Sequence, residues 1–265
     1  MLEELVATRF AKPMTSGRTG PILLAGETPD GEEIEVIAKF SKGGDIGALG
    51  LGREALCAML AADLGMPVPK PHLVRLDAEF IKVVGTANPG VAQLLAQSIP
   101  VGFASTKLPP GYAVWMRDRK IPASMKQMAA EIFAFDMMIT NPDRRPDNPN
   151  LLWKGEQFAI FDHELALSGA QTLFWKPPWE QGALTDSAGP EKHVLGAGLQ
   201  GFVPDLKRLT GAWEAISDAR LQQYVAALPA EWDSVKNSTN DAILYLSRLR
   251  HNIQLAVQEV LRVLQ

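Results

Sequence analysis

The chain has 265 residues, 46% of them hydrophobic, with a formal net charge of -4 and one cysteine. That supplies core material for one large domain or for two lobes around a cleft, and the charge implies no general attraction to nucleic acid or to an anionic membrane. A lone Cys57 excludes an internal disulfide, and no apolar run reaches the roughly 18 to 20 residues needed to span a bilayer.

Residues 1–13 read as a leading strand or arm, with Val6, Ala7, Thr8 and Phe10 in an extended pattern. A small, flexible stretch from Met14 to Pro21 leads to a strand at Ile22 to Ala25. Asp30-Gly31 is a hairpin signal. Glu33 to Phe40 alternates charged and apolar residues and then turns apolar around Lys39, the pattern of an antiparallel strand entering a core. After a glycine-rich linker, Gly43 to Gly52, apolar positions from Arg53 to Gly65 recur at helical spacing, and Gly65 with Pro67 ends the helix. Glu54 is expected in the first turn, where the helix dipole favours a carboxylate. Two extended pieces follow, His72 to Leu76 and Glu79 to Val84, then a helical turn over Gly90 to Gln97 and a strand from Val101 to Ser105. An interlobe hinge is placed at Phe103 to Leu108, where main-chain groups at Phe103 and Ser105 would meet an adenine edge.

From Ser124 the pattern becomes helical. Met125 to Ile139 forms a nearly continuous apolar surface broken by Asp136, so this helix belongs in a core. It ends at Asn141-Pro142. Leu151 to Trp153 and Phe158 to Phe161 read as a hairpin around Lys154-Gly155-Glu156. The short basic runs Arg117 to Lys120 and Arg144-Arg145 are expected on solvated loops. A loop rich in Trp, Pro and Gly (Phe174 to Gly189) precedes amphipathic helices at Leu206 to Ile216 and Arg220 to Leu228, and one long helix at Ala242 to Leu264. Trp213 and Trp232 read as core or capping residues.

The stretch from Asn141 to Asp162, NPDRRPDNPNLLWKGEQFAIFD, has the layout of a phosphotransferase centre. In that template a loop aspartate accepts the proton of the attacking hydroxyl, D-x-x-x-x-N puts an amide oxygen on a metal ion, and an aspartate at a strand end holds the metal that bridges the ATP phosphates. Asp143, Asn148 and Asp162 stand in that order and spacing. A glycine-containing turn over Ser16, Gly17, Arg18, Thr19 and Gly20, with Lys39 on a following strand, suits phosphate gripping. Each feature also has an ordinary reading: a polar loop for residues 141–150, a snorkelling strand-end lysine for Lys39, a dipole role for Glu54. Four scattered histidines lack the spacing of a zinc site.

Taken together, Met14 to Pro21 (MTSGRTGP), Val36 to Phe40 (VIAKF), Arg53 to Pro69 (REALCAMLAADLGMPVP), Asn141 to Trp153 (NPDRRPDNPNLLW) and Ile160 to Leu165 (IFDHEL) resemble the HipA-like kinase family. The resemblance implies an α+β, bilobal protein-kinase-like fold. A small antiparallel β-rich N-lobe would cover residues 1–108 and a mostly helical C-lobe residues 109–265. It implies ATP and Mg2+, with Lys39 on the phosphates, Glu54 as its ion-pair partner, Asp143 as catalytic base, and Asn148 and Asp162 as metal ligands. The expected acceptor is a serine or threonine of a protein, with Ser16 as a candidate for autophosphorylation beside Thr15 and Thr19. Alternatives are a small-molecule or lipid kinase on the same fold, or a nucleotide-binding pseudokinase or interaction module. The chain is short and is expected to lack the extra N-terminal subdomain of larger HipA toxins, which leaves toxin activity and an antitoxin-like partner open. Nothing near the start resembles a secretory signal, so a cytoplasmic location is expected.

Overall fold

The period-two pattern of the first forty residues becomes three strands in the structure, a computed structural model that describes residues 2–14, 20–44, 46–169, 174–186 and 192–265. The chain divides into two units. One comprises Met1–Met59, Pro69–Pro109 and Gln223–Asn240, the other Leu60–Val68, Pro110–Gln222 and Asp241–Gln265. The protein is mixed α+β, rich in sheet towards the N-terminus and in helix towards the C-terminus.

In the first unit, strands β1 (Glu3–Pro13), β2 (Ile22–Glu27), β3 (Glu33–Lys39), β4 (Pro71–Arg75) and β5 (Val101–Thr106) close into a barrel in the order β1-β2-β3-β5-β4. Every pairing is antiparallel except that of β1 with β4, which runs parallel with Glu3 opposite His72. An all-antiparallel sheet was expected; the parallel seam removes the open edges such a sheet would keep. Register shifts in β1, between Ala7 and Arg9 and between Phe10 and Lys12, supply the bending that closure needs. Leu5, Leu24, Val36, Ala38, Val74 and Ala104 form the core together with Phe80, Val84 and Leu95 from two helices.

Those helices are α2 (Ala78–Ala87) and α3 (Pro89–Ala96). The expected extended piece at Glu79 to Val84 is therefore helical. The Phe80 N–H donates to the Asp77 carboxylate at 2.6 Å, which caps the helix start, and Phe80 and Val84 bury one turn apart. Helix α1 spans Ala48–Asp63, five residues longer at its start than the glycine pattern suggested. Its stripe of Leu51, Ala55 and Ala58 packs with Leu73, Val101, Phe103 and Trp232, and the Trp232 indole donates to the Val101 carbonyl at 2.9 Å.

In the second unit, β6 (Ala113–Val114), β7 (Leu151–Lys154) and β8 (Gln157–Ile160) form an antiparallel sheet in chain order. The β7–β8 turn is made by Gly155 at φ 58°, a left-handed conformation that glycine adopts without strain. Helix α4 (Lys126–Met138) is buried continuously from Ala129 to Met138. Helices α5 (Gly196–Leu199), α6 (Lys207–Ala215), α7 (Asp218–Ala226), α8 (Lys236–His251) and α9 (Ile253–Leu264) complete the chain. The single long helix expected at the C-terminus is two, separated at Asn252 (φ -113°, ψ 19°). Trp213 is fully buried. Among the described residues no helix is long and apolar enough to cross a membrane.

Candidate active site

Lys39 ends β3, and its ammonium stands 3.7 Å from the Glu54 carboxylate, with the two side chains 12% and 4% exposed. Because α1 begins at Ala48, Glu54 is its seventh residue, beyond the first turn. The dipole reading of Glu54 therefore gives way to pairing with Lys39. Gly102, on β5 beside this strand end, allows the approach: a Cβ there would lie 2.6 Å from the Lys39 carbonyl oxygen and equally close to the Phe40 ring. Sequence reasoning did not single out Gly102; an isolated glycine within an apolar strand was its signal.

Of the expected phosphate-covering residues, Gly20 has φ 56°, and the Met14 N–H donates to the Pro21 carbonyl at 2.8 Å across the base of the segment. Thr15, Ser16, Gly17, Arg18 and Thr19 lie outside the described residues. Phe103 and Ser105 fall within β5, which pairs with β3 on one side and β4 on the other. Their main-chain groups thus face neighbouring strands where an adenine edge was expected, and the Phe103 side chain is core.

In the second unit the loop begins at the end of α4. The Asn141 N–H donates to the Asp136 carbonyl and the Thr140 N–H to that of Met137, with Thr140 at φ 52°. This is a Schellman end in which threonine takes the place usual for glycine. The Asn141 side chain then bridges, donating to Asp136 Oδ1 at 2.7 Å and accepting from the Asp143 N–H at 3.1 Å. Arg145 and Asn148 exchange main-chain hydrogen bonds of 3.1 Å across Pro146-Asp147, a turn suited to proline at its second position. The turn brings Asn148 back to Asp143.

The Asp143 carboxylate is held by three donors. Oδ2 accepts from the amides of Asn148 (2.7 Å) and Asn150 (3.1 Å), while Oδ1 accepts a longer bond of 3.4 Å from Arg145. The carboxylate is 16% exposed, and Oδ1 is the oxygen with more capacity left for a further partner. Asn150 had no role assigned to it within the NPDRRPDNPNLLW stretch; it sits at φ 42°, where asparagine is tolerated. The β7–β8 hairpin pairs Leu151 with Ile160 and returns the chain to Asn150, whose carbonyl accepts from the Phe161 N–H at 3.4 Å. Asp162 follows at φ 61°.

Arg144 departs from expectation. It was placed on a solvated loop, yet it is fully buried. Its guanidinium donates to both oxygens of Asp136 (2.6 and 3.2 Å), to the main-chain oxygens of Asn150 and Phe161, and to His163 Nε2 at 2.9 Å. The His193 Nε2–H donates to Asp136 Oδ2 at 3.1 Å, while its Nδ1 accepts from the Leu195 N–H. Burial pushes the Asp136 carboxyl up, but Arg144 and His193 outweigh it and hold the group well below the usual carboxylate range. Burial also holds His193 below its ordinary value, against the opposing pull of Asp136.

Among the described residues no group of three or more His, Cys, Asp or Glu could hold a metal ion. The kinase arrangement needs fewer protein ligands, since substrate phosphates and water complete the shell. Asn148 fits that use, because its amide nitrogen is committed to Asp143 and the amide oxygen is the hard donor that remains.

A family model described as HipA-like kinase matches residues 8–261. The chain belongs to the HipA-like kinase family. This HipA-like kinase is also similar in fold to the crystal structure of a Helicobacter pylori proinflammatory kinase, CtkA, with a TM-score of 0.51 and 11% identity over 97% of this chain and 99% of that one. No curated protein matches. The family makes the chain a kinase-type phosphotransferase, a class that uses ATP and a divalent metal.

Proposed function

We propose that this HipA-like kinase transfers the γ-phosphoryl group of ATP, with Mg2+, to a serine or threonine hydroxyl of a protein, and that Ser16 is one acceptor. The observation that carries this reading is the Asp143 carboxylate, fixed through Oδ2 by two amides while Oδ1 keeps capacity for an incoming hydroxyl. Asp143 orients the acceptor hydroxyl and takes its proton as the new oxygen–phosphorus bond forms and the bond from phosphorus to the ADP oxygen breaks. Lys39, held by Glu54, pairs with phosphate oxygens. Asn148 and Asp162 would hold Mg2+, whose chemistry is neutralisation of charge on the phosphates. Little covalent work falls to the protein, so positioning and charge supply most of the rate.

Intact-mass spectrometry after incubation with ATP and Mg2+ tests the proposal. Wild-type protein should gain one phosphoryl group, peptide mapping should place it on Ser16, and Asp143→Asn should lose at least about a hundredfold in rate, the lower end for a general base. Equal phosphorylation of the Asp143→Asn protein would reject Asp143 as the base. Phosphate mapped only to other residues would reject Ser16.

A further inference from the structure

The chemistry proposed for Asp143, Asn148 and Asp162 leaves unused a cation buried one residue beyond the base. Arginine has five N–H donors in a fixed plane, and Arg144 employs all five: Nε and one Nη2 hydrogen on Asp136, the second Nη2 hydrogen on His163, and both Nη1 hydrogens on the main-chain oxygens of Asn150 and Phe161. Each acceptor has a place in the site. Asn150 donates its amide to Asp143. Phe161 and His163 are the two neighbours of Asp162 in the chain. Asp136 lies in α4 and reaches the Asp143 main chain through Asn141. One rigid group therefore ties the Asp143 loop to both sides of Asp162.

Asp162 needs that restraint. A non-glycine residue at φ 61° lies in a sparsely populated backbone region and persists where its surroundings over-determine it. A hydrogen bond to the residue before it and another to the residue after it supply that determination. Burial alone would be satisfied by any apolar side chain; the matching of five donors to acceptors on three segments is specific to a guanidinium.

We propose that Arg144 is a positioning residue of this kinase, its guanidinium fixing Asp162 relative to Asp143 so that the metal ion is held where phosphoryl transfer needs it. The inference rests on the assignment of Asp143 as base and Asp162 as metal ligand.

The test is direct metal binding without turnover. The dissociation constant of Mn2+ is measured by electron paramagnetic resonance on the full chain with a non-hydrolysable ATP analogue, beside the affinity for the metal-free analogue and kcat. Arg144→Lys keeps the charge but loses the planar fork. Asp136→Asn with Arg144→Met removes both charges together and so strands neither in the interior; it decides the matter if Arg144→Lys does not fold. In both, Mn2+ affinity should fall about 10- to 100-fold, the usual cost of losing a group that orients a metal ligand. kcat should fall in parallel, and metal-free nucleotide affinity should stay within about twofold. Asp162→Asn is the control on the underlying assignment. If it binds Mn2+ as tightly as wild type, the ligand assignment is wrong and the proposal falls with it. If it loses Mn2+ while a folded Arg144 variant keeps wild-type affinity, Arg144 is a structural rivet and its positioning role is overturned.

Discussion

The Lys39–Glu54 pair offers a quantitative check on the first unit. At 3.7 Å, with both side chains almost wholly enclosed, the attraction is about 4 kcal/mol at an effective dielectric constant of about 20. Glu54→Gln would remove the carboxylate charge facing a buried ammonium and should destabilise the unit by about 3 kcal/mol; Lys39→Met should cost a similar amount by removing the cation facing the Glu54 carboxylate. The double variant buries neither charge and should lose only about 1 kcal/mol, which makes the coupling energy about 5 kcal/mol. Hydrogen exchange of the α1 and β3 amides reads these opening energies where the pair sits. ATP binding, followed in the same proteins, should weaken in all three. Single-variant effects that add to the double within about 0.5 kcal/mol would show that the two charges act independently, and the account of Glu54 as the group that holds Lys39 would fail.

Gly102→Ala should weaken both stability and nucleotide binding, because the new Cβ would meet the Lys39 carbonyl at 2.6 Å and β3 would have to move. A loss of about 1–3 kcal/mol in thermal unfolding is expected for overpacking of this kind, and an unchanged midpoint would refute the close approach. Stability should also fall on acidification, in two stages. His193 is held below its ordinary value by burial, so as pH drops through about 6.5 the unfolded chain takes up a proton that the folded chain refuses. Asp136, held low by Arg144 and His193 against the opposing effect of burial, does the same below about pH 4. Urea midpoints from pH 8 to 5 should decline, and His193→Gln should flatten that slope; an equal slope in the variant would place the acid-sensitive group elsewhere.

What the sequence made legible was local. The spacing from Asp143 to Asn148 is closed by a turn whose proline and aspartate can be read directly, and the structure brings the two side chains to 2.7 Å. The strand carrying Lys39 and the helix carrying Glu54 were visible from periodicity, and the two residues meet. The start of α1 was not visible, because Gly50 and Gly52 read as linker. Gly52 is helical, and its missing Cβ leaves room for Val235, which a Cβ would meet at 3.4 Å, a contact between residues far apart in the chain. The helix α2 was hidden by Ile81, Val83 and Val84, whose branched side chains favour strands. The Asp77 cap and tertiary burial of Phe80 and Val84 overrode that preference.

Arg144 marks the deeper limit, since His163, which it bonds, and His193, which bonds the same Asp136, come from segments that no local pattern connects to it. Yet half of the answer was available. Asp136 was recognised as the residue that breaks the nearly continuous apolar surface of the helix, and a carboxylate inside a core must be paired and hydrogen-bonded. A helix buried on all sides with one acid near its end therefore predicts a buried cation close to that end. Arg144 and Arg145 were the nearest arginines beyond it, eight and nine residues on. Only Arg144 meets the helix: Arg145 turns to Asp143 and remains partly exposed, while Arg144 turns inward. Reading two adjacent arginines as one solvated run concealed that division, which separates a side chain contacting the Asp143 carboxylate from one that fixes the backbone on which Asp162 is carried.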